Sequence, residues 1–350
     1  MVTRITILLV VLGASFASAA TITVPGSFTT IQAAISAASD GDLILVAPGV
    51  YTQNLDFGGK ILALRSTAGP ASTIIHVSGG VGVSLGGASE LNGFTITGAN
   101  SVFGAGVVVN GVGTLIKGNI FDGNTESTGG YGAAIGGDVA SPIIDGNVFR
   151  NNTADEQHLS GVVCFINGSS PTIINNIFED NTTRAINFVL PSGNNPVVIN
   201  NTFVRNEVAI KYGSFSTTIC RNNILDGNTT GFLLDYPGYQ PTWENNDVYN
   251  NTANYAGGMP DLTGVSGNIS ADPEFVSASD LELLSGSPAI DSGSPLLAPD
   301  HDIAGDPRPM GGGYDMGAYE VPEPNVGLLL LPMAGALALL RPARSRFSGS

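Results

Sequence analysis

Basic side chains are scarce in this chain, with 13 lysines and arginines set against 29 carboxylates. Arg4, Arg341, Arg344 and Arg346 fall outside the stretch that holds every acidic residue, so thirteen less four leaves nine basic residues against 29 acidic ones, a net −20 within it. Such a surface repels polyanions, and nucleic acid is not expected as a partner. Histidine is scarcer still: His76, His158 and His301 lie far apart with no second histidine at ligand spacing, which argues against a zinc site. Lysine-, glutamate- and alanine-rich helical stretches are also few, whereas glycine numbers 47, so a turn-rich β protein is the expectation. Between the two ends no apolar run is long enough to span a membrane.

The ends themselves read as addresses. Arg4, the apolar run 5–11 and the small residues Ala17-Ser18-Ala19-Ala20 follow the plan of a secretory signal peptide over residues 1–20, with cleavage near Ala19 or Ala20. At the other end Val321-Pro322-Glu323-Pro324 precedes an apolar run, 326–340, closed by Arg341, Arg344 and Arg346. A hydrophobic stretch followed by arginines reads as a membrane anchor with its basic end in the cytoplasm. The order of tripeptide, short helix and arginines over 321–350 resembles the PEP-CTERM sorting signal of Gram-negative bacteria. That resemblance implies transient membrane anchoring, cleavage by an exosortase-type enzyme, and a cell-surface or extracellular location.

Between these ends one motif, Asn-x-Φ-x-x-Asn with Φ apolar, recurs: Asn119-Phe121-Asn124, Asn147-Phe149-Asn152, Asn176-Phe178-Asn181, Asn201-Phe203-Asn206, Asn223-Leu225-Asn228 and Asn246-Val248-Asn251. The spacing suits one turn of a three-stranded solenoid. Three residues before each leading asparagine stand Ile116, Ile144, Ile173, Val198, Cys220 and Trp243, an inward column. Five before it come Thr114, Pro142, Pro171, Pro196, Thr218 and Pro241, where proline can open a strand. A second strand reads Val163-Cys164-Phe165, Ile186-Asn187-Phe188, Ile210-Lys211-Tyr212 and Leu233-Leu234-Asp235, alternating inward and outward. Coils stacked about 4.8 Å apart let identical amides donate and accept along a column, so Asn119, Asn147, Asn176, Asn201, Asn223 and Asn246 form an asparagine ladder. The expected fold is all-β: a right-handed three-stranded parallel β-helix over 21–320, with repeats over about 90–252 and a C-terminal segment at 270–320. Residues 29–39 place Ile31, Ala34, Ile35 and Ala38 on one helical face, a cap for the open N-terminal end, and 43–46 follow as the first strand.

Thr21, Val24-Pro25, Thr30 to Ile35, Gly41-Asp42 and Val46-Ala47-Pro48-Gly49-Val50-Tyr51 look like the start of pectin-lyase-like β-helix proteins. Asp272-Pro273-Glu274-Phe275, the run Gly286 through Gly293, Asp306-Pro307-Arg308-Pro309 and Asp315 through Glu320 resemble the choice-of-anchor Q group of surface β-helix proteins. The resemblance implies fold and location more than any reaction. The superfamily also holds pectate lyases, polygalacturonases, pectin methylesterases and alginate epimerases. Yet Thr52-Gln53 stands where methylesterases carry a glutamate, and no paired aspartates mark a strand.

A calcium-dependent lyase needs several carboxylates and a base on one outward face. The nearest such constellation is Asp155, Glu156 and His158 in an insertion, with Arg184, Asn187 and Lys211 on the next two coils; a solvated loop is the plainer reading. No cofactor is otherwise implied. Stacked charges, Lys117 with Asp145 and Asp122 with Arg150 and Glu179, read as cross-strand pairs. Asp122-Gly123, Asp145-Gly146 and Asp226-Gly227 read as turns. Cys164 in an outward column and Cys220 in an inward one, two coils on, should not reach each other. Tyr236 and Tyr239 are candidates for carbohydrate contact, whereas Trp243 belongs inside. Two functions follow: a surface or matrix scaffold that contacts extracellular polysaccharide, or an enzyme on an acidic glycan, a lyase or epimerase.

Overall fold

The structure, a computed structural model, describes residues 19–155, 160–189, 195–213 and 217–322. Its strands wind as a parallel β-helix. One coil reads Arg184–Val189, Val197–Ile199 and Thr202–Val204, and the next Val208–Tyr212, Ile219–Arg221 and Ile224–Asp226. The first two strands of each coil join a broad 17-stranded sheet, and the third joins a nine-stranded sheet, so the chain makes nine coils. Pairing between coils is parallel and in register, as in Phe121↔Phe149, Phe149↔Phe178 and Phe178↔Phe203.

Asparagine 147, 176 and 201 lie in vertical register as the repeat requires. Each amide donates to a carbonyl of the preceding coil and to the side-chain oxygen of the following asparagine: Asn176 Nδ2 reaches Ile144 O at 2.9 Å and Asn201 Oδ1 at 2.9 Å. The ladder runs from Asn119 through Asn147, Asn176, Asn201, Asn223 and Asn246 to Asn268, one rung beyond the repeat motif. A second ladder, Asn124 to Asn251 and then Asn254, lines the other tight turn. In both turns the residue just before the ladder asparagine has positive φ, and Gly118, Gly146, Asn175, Asn200, Asn222, Asn245 and Gly267 fill that place in the first. Only glycine and asparagine enter this region at low cost, and this accounts for the paired Gly-Asn and Asn-Asn dipeptides. Inside, Phe121, Phe149, Phe178 and Phe203 stack with centroids 4.9, 4.5 and 4.8 Å apart.

Three boundaries differ from the sequence reading. Thr21–Val24 is itself a strand, pairing with Leu43–Val46, so the latter is the second strand of its sheet and not the first. The capping helix is Ile31–Ala37, shorter than 29–39; Thr30 Oγ1 caps its start and Lys60 Nζ holds the carbonyls of Ile35, Ser36 and Ala38 at its end. In the ninth coil the inward pair is Phe232 and Leu234, paired with Ile210 and Tyr212, so the repeat slips by one residue from the Leu233-Leu234-Asp235 alignment. An aspartate at the third position would have faced the core, and the chain avoids that burial. Cys164 and Cys220 are both buried thiols, Cys220 within the core and Cys164 outside it, and neither is in a disulfide. Burial pushes both thiols far up.

Residues 270–321 do not extend the solenoid. They fold back over the outer face of the nine-stranded sheet as a strap. An antiparallel hairpin, Phe275–Ser277 with Asp280–Leu283, opens it. Leu281 and Ala318 pack on Ile177 and Val204; Leu283, Ala289 and Met316 pack on Ile224. The turn asparagines hold it further: Asn200 Nδ2 donates to Asp315 O at 2.8 Å, Asn222 Nδ2 to Ser294 O at 2.9 Å and Asn245 Nδ2 to Ser292 O at 3.1 Å.

Candidate functional site

Asn187 and Lys211 are register partners in one outward column, next to Cys164. All three are buried, with Ser160 set against Asn187, and a two-stranded flap, Asn100–Phe103 with Thr125–Tyr131, stands beside them. The centre of the cluster is Glu126, which the sequence reading missed. Its carboxylate accepts from Gly130 N at 2.7 Å, from Asp155 N at 3.2 Å and from the Ser160 hydroxyl. The Ser160 carbonyl takes Asn187 Nδ2 at 2.9 Å and Arg184 Nη1 at 3.4 Å, and Lys211 Nζ pairs with Asp235 at 2.9 Å. Asp155 Oδ2 accepts from Gly129 N at 3.2 Å. Asp155, Arg184, Asn187 and Lys211 are thus brought into one neighbourhood, while Glu156 and His158 lie outside the described residues. Glu126 and Gly129 tie the flap to Asp155 and Ser160.

Tyr236 and Tyr239 are exposed on a turn closed by Tyr239 N on Tyr236 O at 3.1 Å. Trp243 is buried against Phe232, with centroids 4.4 Å apart. Of the sorting-signal residues only Pro322 is described; Glu323, Pro324, Arg341, Arg344 and Arg346 lie outside. Among the described residues no helix is long and apolar enough to cross a membrane, and no three histidine, cysteine or carboxylate side chains gather at metal-binding distance.

The expected charge stacks are present and do more than stabilise strands. Lys117 Nζ meets Asp145 at 2.8 Å, and His301 of the strap bonds the same carboxylate at 3.0 Å and Asp300 at 2.7 Å. Arg150 pairs with Asp122 at 3.0 Å, and Arg205 with Asp180 at 2.8 Å and Glu179 at 3.3 Å. This second set lines an open cleft of about 520 Å³ beneath the hairpin tip at Ser279. Asp180 and Arg205 were not singled out from the sequence, although charged residues at turn positions where glycine or asparagine is the rule were a usable signal.

At the last coils Asp247 is fully buried; Oδ1 accepts Ala271 N at 3.0 Å and Oδ2 has no hydrogen-bond partner. Burial pushes its carboxyl up to about 7, and the nearby Asp226 and Asp272 add to the rise. A carboxyl raised from 3.8 makes its full contribution to stability at low pH and loses it as pH climbs through about 7. Asp247→Asn is therefore expected to raise the melting temperature at pH 8 by roughly 3 °C or more and to change it little at pH 4, as checked by calorimetry across pH.

Residues 75–257 match the family described as "right handed beta helix region". None of the curated proteins matches the chain. Among solved structures, the pectate lyase Pel9A is 15% identical with a TM-score of 0.41, the alignment covering 87% of this chain and 97% of that one. The pectin methylesterase from carrot is 12% identical with a TM-score of 0.32, over 63% of this chain and 82% of that one.

Proposed function

Since the chain belongs to the right-handed beta helix family, we propose that it is an exported scaffold of the bacterial surface or extracellular matrix that contacts polysaccharide without transforming it. The observation that carries this reading is the engagement of Glu126. Both of its oxygens are held by donors of the chain itself, on the flap strand that carries it, at the place where carboxylates and bases come nearest to a lyase-like set. Residues 1–20 supply the export signal. Residues 321–350 supply a PEP-CTERM-type tail that an exosortase would remove, and the strap carries the motifs that resemble the choice-of-anchor Q group.

Two measurements test it. The purified protein is incubated with a panel of uronate polymers, with and without Ca2+, while unsaturated products and uronate composition are followed. No change on any polymer is expected; turnover would replace the scaffold with a lyase or epimerase. Mass spectrometry of the chain from an exosortase-bearing Gram-negative host is expected to find termini near Ala20 and Glu323. A chain retained in the cytoplasm with both ends intact would sink the export reading.

A further inference from the structure

The turn from the third strand of one coil to the first strand of the next has a positive-φ residue just before each second-ladder asparagine. Gly123, Asn151, Asp180 (φ 54°), Gly227 and Asn250 fill it with residue types suited to that backbone, whereas Arg205 (φ 57°) is not of such a type. Glycine or asparagine would close this turn with less strain, so the fold's own demands do not explain an arginine there. Arg205 lines the cleft of about 520 Å³, together with Asp180, Asp122, Arg150, Glu179 and, overhanging from the strap, Ser279.

We propose that this cleft is a binding site for a neutral, hydroxyl-rich saccharide. The inference rests on the glycan-contacting role above and gives it a place. Its walls alternate guanidinium and carboxylate: Arg150 stands 3.0 Å from Asp122, and Arg205 stands 2.8 Å from Asp180 and 3.3 Å from Glu179. Planar groups paired in this way largely neutralise one another. They offer donors beside acceptors, and a vicinal diol is the ligand that donates to one and accepts from the other. Two arginines against three carboxylates leave the cleft slightly negative within a strongly acidic protein, which disfavours a uronate. The volume lies in the range of about 300–1,000 Å³ usual for small-ligand sites. Burial raises the Glu179 carboxyl above its ordinary range, so a hydroxyl donor arriving there meets an acceptor with few competing donors.

Calorimetric titration of the purified protein with neutral oligosaccharides (gluco-, xylo- and manno-configured) and with oligouronates tests the site. A neutral saccharide is expected to bind and the uronates to bind at least tenfold more weakly. Arg205→Gly keeps the turn, because glycine suits its backbone, and should leave the melting temperature unchanged or higher while affinity falls at least tenfold. Ser279→Trp fills the cleft from the hairpin tip and should act likewise. Unchanged affinity in both variants, or uronate binding as tight as neutral binding, would overturn the proposal. Uronate turnover with cleft binding intact refutes the scaffold reading alone, and failure of every neutral saccharide to bind, without turnover, refutes the cleft alone.

Discussion

Arg308→Ala is expected to lower stability by about 3–5 kcal/mol, because it leaves a buried carboxylate without its cation. Arg308 and Glu320 are both nearly inaccessible and form an ion pair. The same guanidinium donates to Gly317 O at 2.9 Å, while Glu320 also accepts from Met310 N at 3.0 Å and Asp315 N at 3.1 Å. Asp315 in turn receives Asp291 N at 2.9 Å and Val321 N at 2.8 Å, and burial pushes its carboxyl up to about 6. These residues make a clasp that closes the strap on itself and fits it to the sheet. Denaturant titration should show the loss, and limited proteolysis should show new cuts between 288 and 321 before any in the coils. Replacing Arg308 and Glu320 together by leucine and methionine should recover much of the stability, since both buried charges are then gone. Equal stability of Arg308→Ala and the native chain would show that the clasp is not what holds the strap.

Asn176→Ala should cost about 4 kcal/mol, well above a typical surface substitution. Its side chain accepts from Asn147 N at 2.8 Å and Asn147 Nδ2 at 3.0 Å, and donates to Ile144 O at 2.9 Å and Ile174 O at 2.7 Å. All of these lie in a turn that water does not enter, so each orphaned group loses a partner it cannot replace. Asn254→Ala, at the half-buried end of the second ladder where the side chain accepts from Asn251 N at 3.2 Å and Asn251 Nδ2 at 3.0 Å but donates only to Ser270 Oγ at 3.4 Å, should cost about 1–2 kcal/mol. Equal costs at the two positions would mean that the ladder adds nothing beyond local turn preference.

What the sequence disclosed follows from periodicity. Ladder asparagines, stacked phenylalanines, inward Ile144, Ile173 and Val198, and the pairs Lys117–Asp145 and Arg150–Asp122 all repeat at coil spacing, and stacking enforces their identity. Signals without a period were hidden. Glu126 matters because the flap strand that carries it meets Ser160, 34 residues on, and nothing local to residue 126 announces that. The path of the strap is set by irregular turns and by amides such as Asn200 and Asn222, which look like ordinary ladder neighbours in the sequence. The slip at Phe232 escaped for a simpler reason: Phe232, Leu233 and Leu234 are all apolar, so the frame is chosen by keeping Asp235 out of the core and by the packing of Phe232 beside Trp243.

A stack of coils in which each touches only its neighbours behaves as a one-dimensional chain, able to fray from either end while the middle persists. The strap changes that behaviour. It touches Lys117 and Asp145 through His301, Thr202 through Ala318, and Asn245 through Ser292, so it splints the fourth coil to the ninth. Those coils should therefore melt as a single cooperative block. Tension entering from the C-terminal end meets the splint lengthwise, loading many hydrogen bonds in shear before any coil can unwind.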